Sequence, residues 1–306
     1  MHKPVVLITG ASGFIGQYAV KHFLGLDCHV IGLTRERHRL EMHPDFHWIN
    51  DFDELRTRQI DYVINLAGEN IGAERWTAER KEILLQSRLD TTRQLYEFLK
   101  KNQIFPKCIL STSAVGYYGI DPQEHWQQVY TEEAAPQQIF MSQLCAQWEQ
   151  LALSYTDQNT KIMRFGVVLG RKGGFLPQML MPIKMNLVGR IGSGRQPFAW
   201  VHIQDLLNVM DFLLHAKTTA QIFNVVAPEK TSQLHFSQTA AEVLKRKPLF
   251  SLPGNMMQWM LGEQSQLILN GQYVRPKALQ EAGFEFEFPT IKEALTDLVG
   301  KRSERL

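Results

Sequence analysis

Residues 5–16 read Val-Val-Leu-Ile-Thr-Gly-Ala-Ser-Gly-Phe-Ile-Gly, and this stretch decides the fold. Its first four residues form a short apolar run, as in a strand buried on both faces of a sheet. Gly10 permits a tight turn, Gly13 lets the backbone approach a pyrophosphate, and Gly16 lets the following helix pack closely on the strand. The free N–H groups of that helix N-terminus attract a diphosphate. The stretch therefore predicts a dinucleotide site, and a strand-turn-helix unit without a ligand is the alternative.

The residues after the second predicted strand, 28–33, indicate which nicotinamide cofactor is used. Chains that prefer NAD usually carry an acidic residue there, which binds the ribose 2′-hydroxyl. This chain continues with Thr34 and Arg35, so the first charged side chain is a guanidinium. A guanidinium makes charge-assisted, often bidentate contacts to a phosphate. The sequence therefore favours NADP(H), and a solvated loop in which neighbouring glutamates pair with Arg35 and Arg37 is the alternative.

Composition and charge are those of an ordinary soluble enzyme. The 306 residues are 44% hydrophobic and 21% charged, which is enough to bury a sizeable core. The net charge of only +2 gives no reason to expect a nucleic-acid or membrane partner. No signal peptide or membrane-length apolar run is recognised, and Cys28, Cys108 and Cys145 lack metal-ligand spacing. We expect a cytoplasmic protein with reduced thiols, no bound metal and a small-molecule substrate.

Strand-like and helix-like segments alternate through the first half of the chain. After the glycine turn, strands are predicted at 28–33, 61–66, 107–111 and 161–165, and long helices at 77–101 and 139–154. This order predicts an α/β fold with a doubly wound parallel sheet of the Rossmann type. Ligands of such sheets bind outside the carboxyl ends of the strands. The strand ends near residues 66–70, 111–113 and 164–167 should therefore lie beside the glycine turn.

The sequence changes character after residue 169. Residues 170–197 are rich in Gly, Met and Pro and predict a loop and helix that cover a pocket, with ordinary methionine packing as the alternative. Residues 198–226 are expected to return to the sheet as a helix at 201–214 and a strand at 221–226. Residues 227–306 predict a smaller α/β module. The chain thus divides into a dinucleotide-binding domain, 1–169 with 198–226, and a lid and substrate-binding domain, 170–197 with 227–306.

Local signals define three elements of the C-terminal module. Ser237 is expected to cap a helix that runs through Leu244. Gly283 is a stop signal for a second helix. The alternation in Phe284-Glu285-Phe286-Glu287-Phe288 predicts a half-buried strand.

Several segments spread along nearly the whole chain resemble the extended short-chain dehydrogenase/reductases. They are TGASGFIG, NLAGENI, STSAVGYYG, GSGRQ, WVHIQDL and EAGFEF. The first marks only the superfamily, whereas the combination of the others is similar to an epimerase-like family of the NAD-dependent epimerase/dehydratase superfamily that ends in a domain of unknown function. The resemblance implies an NADP(H)-binding oxidoreductase or nucleotide-sugar-epimerase-like protein that acts on a small polar substrate. It also implies a possible homodimer in which helices 77–101 and 139–154 pair.

The resemblance implies a catalytic Ser or Thr together with a Tyr-x-x-x-Lys pair on one helix face. In that arrangement an ammonium and the nicotinamide charge lower the pKa of the phenol, so that it exchanges protons at neutral pH. Ser113 matches the serine, but Phe140 and Leu144 stand at the Tyr and Lys positions. Tyr118 is the predicted substitute, and packing of Tyr117 and Tyr118 against the lid or the cofactor is the alternative. A non-catalytic NADP(H)-binding sensor or regulatory protein is the alternative function.

Candidate binding residues follow from the glycine turn, the strand ends and the motifs. Those expected at the cofactor are Gly10, Ser12, Gly13, Phe14, Ile15, Gly16, Thr34, Arg35, Leu66, Ala67, Gly68, Arg88, Ser111 and Arg164. Those expected at the substrate are Asn70, Trp76, Arg195, Trp200 and His202. Alternatives are a surface ion pair for Arg88, a solvated basic face for Arg195 and a structural role for His202.

Overall fold

The computed structural model describes residues 3–35, 43–55, 57, 59–121 and 123–299. The strands of these ranges are β1 (Val5–Thr9), β2 (His29–Leu33), β3 (Phe46–Ile49), β4 (Tyr62–Asn65), β5 (Cys108–Ala114), β6 (Val129–Tyr130), β7 (Thr160–Phe165), β8 (Val167–Leu169), β9 (Val188–Ile191), β10 (Trp200–His202), β11 (Ile222–Val225), β12 (Phe250–Leu252) and β13 (Tyr273–Val274). The helices are α1 (Phe14–Gly25), α2 (Ala78–Lys101), α3 (Phe140–Leu153), α4 (Leu176–Lys184), α5 (Ile203–His215), α6 (Gln233–Leu244), α7 (Gly254–Leu261), α8 (Gln266–Leu269), α9 (Lys277–Glu281) and α10 (Ile291–Val299). Arg37 and the glutamates predicted to pair with it lie outside the described residues.

Seven parallel strands form the central sheet of the described residues, in the order β11-β7-β5-β4-β1-β2-β3. The chain leaves β1 towards β2 and β3 and then crosses back to β4 on the other side of β1. In doubly wound sheets such a reversal opens a crevice at the carboxyl ends of the strands. The predicted fold class is confirmed, and the glycine turn lies at this reversal.

Apolar strands covered by helices on both faces account for the core. All five residues of β1 are buried, as expected for a strand with no solvent face. One apolar cluster joins the sheet to α1 and α5, and another joins its opposite face to α2 and α3. The first cluster also includes buried side chains of α6 and α10, so the C-terminal segment shares the core of the sheet.

Two details of the second half differ from the sequence predictions, and a third agrees with them. Helix α5 begins only at Ile203, because the preceding residues form β10, which pairs with β8. Ser232, whose side chain accepts from the His235 N–H, caps α6, and Ser237 lies inside that helix. The glycine stop is confirmed, since α9 ends just before Gly283, which has a φ of +84°.

The predicted strand at 284–288 is wrong. The three phenylalanines pack on the main core cluster, but the segment joins no sheet of the described residues. The N–H groups of Glu287 and Phe288 instead donate to the buried Asp205 carboxylate, at 2.7 and 3.0 Å. The alternation of buried and exposed side chains therefore belongs to a segment outside any sheet of the described residues, which the Asp205 side chain holds in place. Across the described ranges, none of the helices is both long and apolar enough to cross a membrane.

Candidate functional site

The glycine turn has the geometry of a diphosphate cradle. Gly10 has a φ of +64°, a conformation that favours glycine. A Cβ on Gly16 would lie 2.2 Å from the Gly10 carbonyl oxygen, so only glycine lets α1 pack this closely on the turn. A Cβ on Gly13 would meet that oxygen at 3.2 Å and would otherwise face open space. Because α1 has no side-chain cap and no acidic residue in its first turn, its N-terminal N–H groups can receive an anion.

Phe14 connects this cradle to the predicted lid. A Cβ on Gly170, Gly173 or Gly174 would come within 2.8 Å of the Phe14 ring, so these glycines make room for it. Gly173 and Gly174 also have φ values of +105° and +67°. Phe14, which the sequence predicts at the cofactor, therefore packs its ring against the beginning of the 170–197 segment.

The end of β2 presents polar groups on one side of the cradle. The hydroxyl oxygens of Ser12 and Thr34 lie 2.9 Å apart. The Arg35 side chain is 83% exposed, and its Nη2 lies 2.6 Å from Glu69 Oε1. This hydrogen bond from Arg35 holds the pKa of the Glu69 carboxyl below its ordinary value. An accessible guanidinium thus stands where the sequence predicts recognition of a 2′-phosphate.

The loop after β4 forms the other side of the cradle. Thr9 Oγ1 accepts from the N–H groups of Leu66 and Ala67, at 3.1 and 3.2 Å. Gly68 lies against the Arg88 side chain, which would contact an added Cβ at 3.2 Å. The Arg88 guanidinium is already engaged within the protein, because its Nη1 donates to a backbone oxygen of α2 and its Nη2 to the Glu69 carbonyl oxygen. We assign Arg88 a part in holding the loop.

A buried ionic cluster lies at the carboxyl ends of β5 and β7. Ser113 and Arg164 are register partners on these strands. Arg164 donates to both carboxylate oxygens of Glu149, at 2.8 and 2.7 Å, and Ser113 Oγ donates to Glu149 Oε1 at 2.6 Å. Ser113 and Arg164 are each 1% exposed and Glu149 is 5% exposed. The arrangement satisfies a buried guanidinium with a carboxylate and gives it no free edge toward a cofactor.

The Tyr118 phenol belongs to the same cluster. Its Oη donates to Asn224 Oδ1 at 2.7 Å and accepts from Arg164 Nη1 at 2.8 Å. The side chain is fully buried, and burial raises the pKa of Tyr118 to about 12. Tyr117, only partly buried, places its ring 3.5 Å from the Arg164 guanidinium carbon. This geometry favours the packing alternative for both tyrosines over proton exchange by Tyr118.

The helix position where the resemblance implies a catalytic pair is apolar. Phe140 begins α3 and contacts the Trp76 ring, and Leu144 is buried. Lys81 brings an ammonium to this position, since its Nζ lies 5.0 Å from the Phe140 ring centroid and 2.5 Å from Glu263 Oε2. Lys81 joins α2 to the C-terminal segment, a contact that the sequence gives no sign of.

Ser111 and the loop residues Asn70 and Trp76 are held by local hydrogen bonds. Ser111 Oγ is fully buried and accepts from Asn65 Nδ2 at 3.3 Å. Trp76 Nε1 donates to the Ile71 carbonyl oxygen. Asn70 is exposed, and its Oδ1 accepts from the N–H of Gly72. Of these three, only Asn70 offers an accessible polar side chain.

The remaining substrate candidates each have a partner within the protein. Arg195 is 71% exposed and pairs with Glu124 at 3.0 Å. Trp200 is buried, and its Nε1 donates to Thr231 Oγ1. His202 is buried, accepts from the Gln204 N–H as the cap of α5, and stacks on Phe288. Burial lowers the pKa of His202 to about 4, which favours the structural alternative for this residue.

Comparisons with known proteins agree with this architecture. Residues 6–226 match the NAD dependent epimerase/dehydratase family, and residues 252–298 match a domain of unknown function, DUF1731. The epimerase family protein SSP1921 of Staphylococcus saprophyticus is 35% identical over 298 residues, which are 96% of this chain and 98% of that protein. The human epimerase family protein SDR39U1 (isoform 2), crystallised with NADPH, has a TM-score of 0.87 and 31% identity, covering 97% of this chain and 100% of that chain. A nucleoside-diphosphate sugar epimerase from Corynebacterium glutamicum has a TM-score of 0.76 and 24% identity over 98% of this chain and 59% of its own, and supports the fold alone.

Proposed function

The chain belongs to the NAD dependent epimerase/dehydratase family, and on that basis we propose that it is an NADP(H)-binding oxidoreductase or epimerase-type protein that acts on a small polar, hydroxyl-bearing substrate. The observation that carries the proposal is the open glycine cradle, with the exposed Arg35 guanidinium beside it. The human relative SDR39U1, similar over nearly the whole chain, was crystallised with NADPH.

The residues around the turn fit two groups of the cofactor, the pyrophosphate and the 2′-phosphate on the adenosine ribose. Gly10, Gly13 and Gly16 let the backbone and the N-terminus of α1 approach the pyrophosphate. Arg35, which directly follows Thr34 in the chain, would hold a 2′-phosphate. These groups orient the cofactor, whose nicotinamide supplies or accepts the hydride.

Ser113 is the residue best placed to hold a substrate oxygen. Its proton is committed to Glu149 at 2.6 Å, which leaves the lone pairs of Oγ to accept a hydrogen bond from a substrate hydroxyl. Arg164 neutralises Glu149 and so fixes the direction of that hydrogen bond. Tyr118 stabilises this cluster from within the core and is not assigned the proton transfer.

A non-catalytic NADP(H)-binding sensor or regulatory protein is the second candidate. It is favoured by Phe140 and Leu144, which place apolar side chains at the helix positions where the resemblance implies a Tyr and a Lys. It is also favoured by the 1% exposure of Ser113, which limits access of a substrate to that hydroxyl. In that case the cofactor would act as the ligand that is sensed.

Two measurements on the purified protein test these proposals, the first for the cofactor preference that both candidates share and the second for the turnover that separates them. Titration with NADPH and NADH, for the wild type and for Arg35→Asp, should show a preference for NADPH that the substitution removes. Equal losses for both cofactors would take Arg35 out of its assigned role. Incubation with NADPH or NADP⁺ and a panel of sugar nucleotides, aldehydes and small alcohols should give turnover in the wild type and not in Ser113→Ala. Tight NADPH binding without turnover of any panel member would favour the sensor.

A further inference from the structure

An ion pair crosses the mouth of the proposed adenosine crevice. Strands β2 and β4 are the two neighbours of β1, so Arg35 and Glu69, which follow them, stand on opposite sides of the glycine turn. Arg35 Nη2 lies 2.6 Å from Glu69 Oε1. The guanidinium proposed to bind the 2′-phosphate therefore already holds an anion that belongs to the chain itself.

The backbone of Glu69 is fixed, so that only its side chain is free to move. The Glu69 N–H donates to Ser87 Oγ at 3.1 Å, and its carbonyl oxygen accepts from Arg88 Nη2 at 3.0 Å. Both contacts come from α2. A change of partner by the carboxylate therefore requires only side-chain rotation.

A second guanidinium lies within reach of the same carboxylate. Arg80 Nη2 is 3.5 Å from Glu69 Oε2, and the Arg80 side chain is 9% exposed. Its Nε is buried and has no hydrogen-bond partner among the described residues, with Glu74 Oε2 at 3.6 Å. A buried N–H without a partner is unfavourable. Arg80 Nη2 also donates to the Asn70 carbonyl oxygen at 3.0 Å, which holds this guanidinium where the Glu69 carboxylate can keep it as a partner when Arg35 takes another anion.

We propose that the Glu69 carboxylate competes with a 2′-phosphate for Arg35 and so lowers the preference of this site for a 2′-phosphorylated dinucleotide. In the free protein the carboxylate bridges Arg35 and Arg80, and on binding the 2′-phosphate displaces it from Arg35 while it stays with Arg80. A phosphate monoester carries close to two negative charges at neutral pH and three acceptor oxygens, whereas NAD(H) presents only a hydroxyl at this position. The inference rests on the proposed binding of NADP(H), and adds the residue that tunes it.

The size of the effect follows from the exposure of the pair. Exposed ion pairs shift an equilibrium by about two- to five-fold, and salt screens them. Removing the charge of Glu69 should therefore tighten NADPH binding by about this factor at low salt and by less at high salt. Binding of NADH, which does not compete for Arg35, should change by less than about two-fold.

The test is a titration of NADPH and NADH into the wild type, Glu69→Gln and the control Glu74→Gln, at low and high salt. Glu74 is a second carboxylate near Arg80 that does not contact Arg35, so Glu74→Gln matches the change in net charge. The proposal expects tighter NADPH binding only for Glu69→Gln, and expects the gain to vanish when Arg35→Gln is added. Weaker NADPH binding by Glu69→Gln, an equal gain for NADH or an equal gain for Glu74→Gln would each overturn it. A wild type that binds NADPH no better than NADH contradicts the proposed function as well, whereas a normal preference with an unresponsive Glu69→Gln contradicts this inference alone.

Discussion

The Glu149→Ala substitution is expected to lower the free energy of unfolding by about 3–5 kcal/mol. Glu149 is 5% exposed and accepts two N–H groups from Arg164 and the O–H of Ser113. Truncation leaves a guanidinium that is 1% exposed without a counter-charge, and breaking a buried pair in this way typically costs about 3–5 kcal/mol. For a chain of 306 residues, that loss corresponds to a fall of about 5–8 °C in the unfolding midpoint.

Urea unfolding followed by circular dichroism measures this change. The control is Glu97→Ala, an exposed glutamate on α2, for which we expect a change within about 0.5 kcal/mol. The double variant Glu149→Leu/Arg164→Met replaces both charges with apolar side chains and should recover much of the loss. A Glu149→Ala protein as stable as the Glu97→Ala control, or a double variant less stable than Glu149→Ala, would refute the reasoning.

Three further predictions concern the cradle, the buried phenol and pH. Gly16→Ala should weaken NADPH binding at least about ten-fold, because its Cβ would lie 2.2 Å from the Gly10 carbonyl oxygen, whereas Gly25→Ala, with no atom within 4 Å, should bind normally in the same titration. Tyr118→Phe should lower the free energy of unfolding in urea by about 1–3 kcal/mol, because it leaves two buried hydrogen-bond partners unpaired. It should leave the rate of any turnover nearly unchanged, and loss of turnover in a folded variant would show that the phenol takes part in the reaction. Because the folded-state pKa of His202 is lowered to about 4, the unfolded chain binds a proton first as the pH falls from about 6.5, and the wild type should lose up to about 3 kcal/mol by pH 4. His202→Gln lacks this contribution, so parallel stability curves for the two proteins over this range would contradict the assignment.

The parallel sheet and the cofactor cradle were predictable because each depends on a local pattern. All residues of β1 are buried, and the first four are apolar. The glycines of the turn are required because an added Cβ would meet backbone atoms, for Gly13 and Gly16 those of the turn itself. The strand at 284–288 was not predictable in the same way. The alternation of the segment reports which side chains are buried, but a strand also needs a neighbouring strand that accepts its N–H groups. Here the Asp205 carboxylate accepts two of them instead.

The polar residues at the strand ends show a second limit of the sequence. Ser111 and Arg164 lie on strands whose ends were expected at the site, and Trp200 and His202 lie on β10, but the polar atoms of all four turn into the protein. The partner of Arg164, Glu149, comes from a helix, and no spacing rule links the two. A strand-end position therefore predicts proximity to the site, whereas the direction of a side chain depends on which opposite charge the packing brings near.

The two ends of the proposed site differ in what their polar groups are free to do. At the proposed adenosine end, Arg35 is exposed, and its ion pair with Glu69 is of the exposed kind that costs little to break. At the opposite end, Ser113, Glu149 and Arg164 satisfy one another in the core, and Phe140 offers no acidic group. A substrate oxygen held at Ser113 would therefore find a hydrogen-bond acceptor and no general acid. Hydride transfer at such a site would therefore have to exchange its proton with water in both directions, because the group that takes the proton when the hydroxyl is oxidised returns it when the carbonyl is reduced.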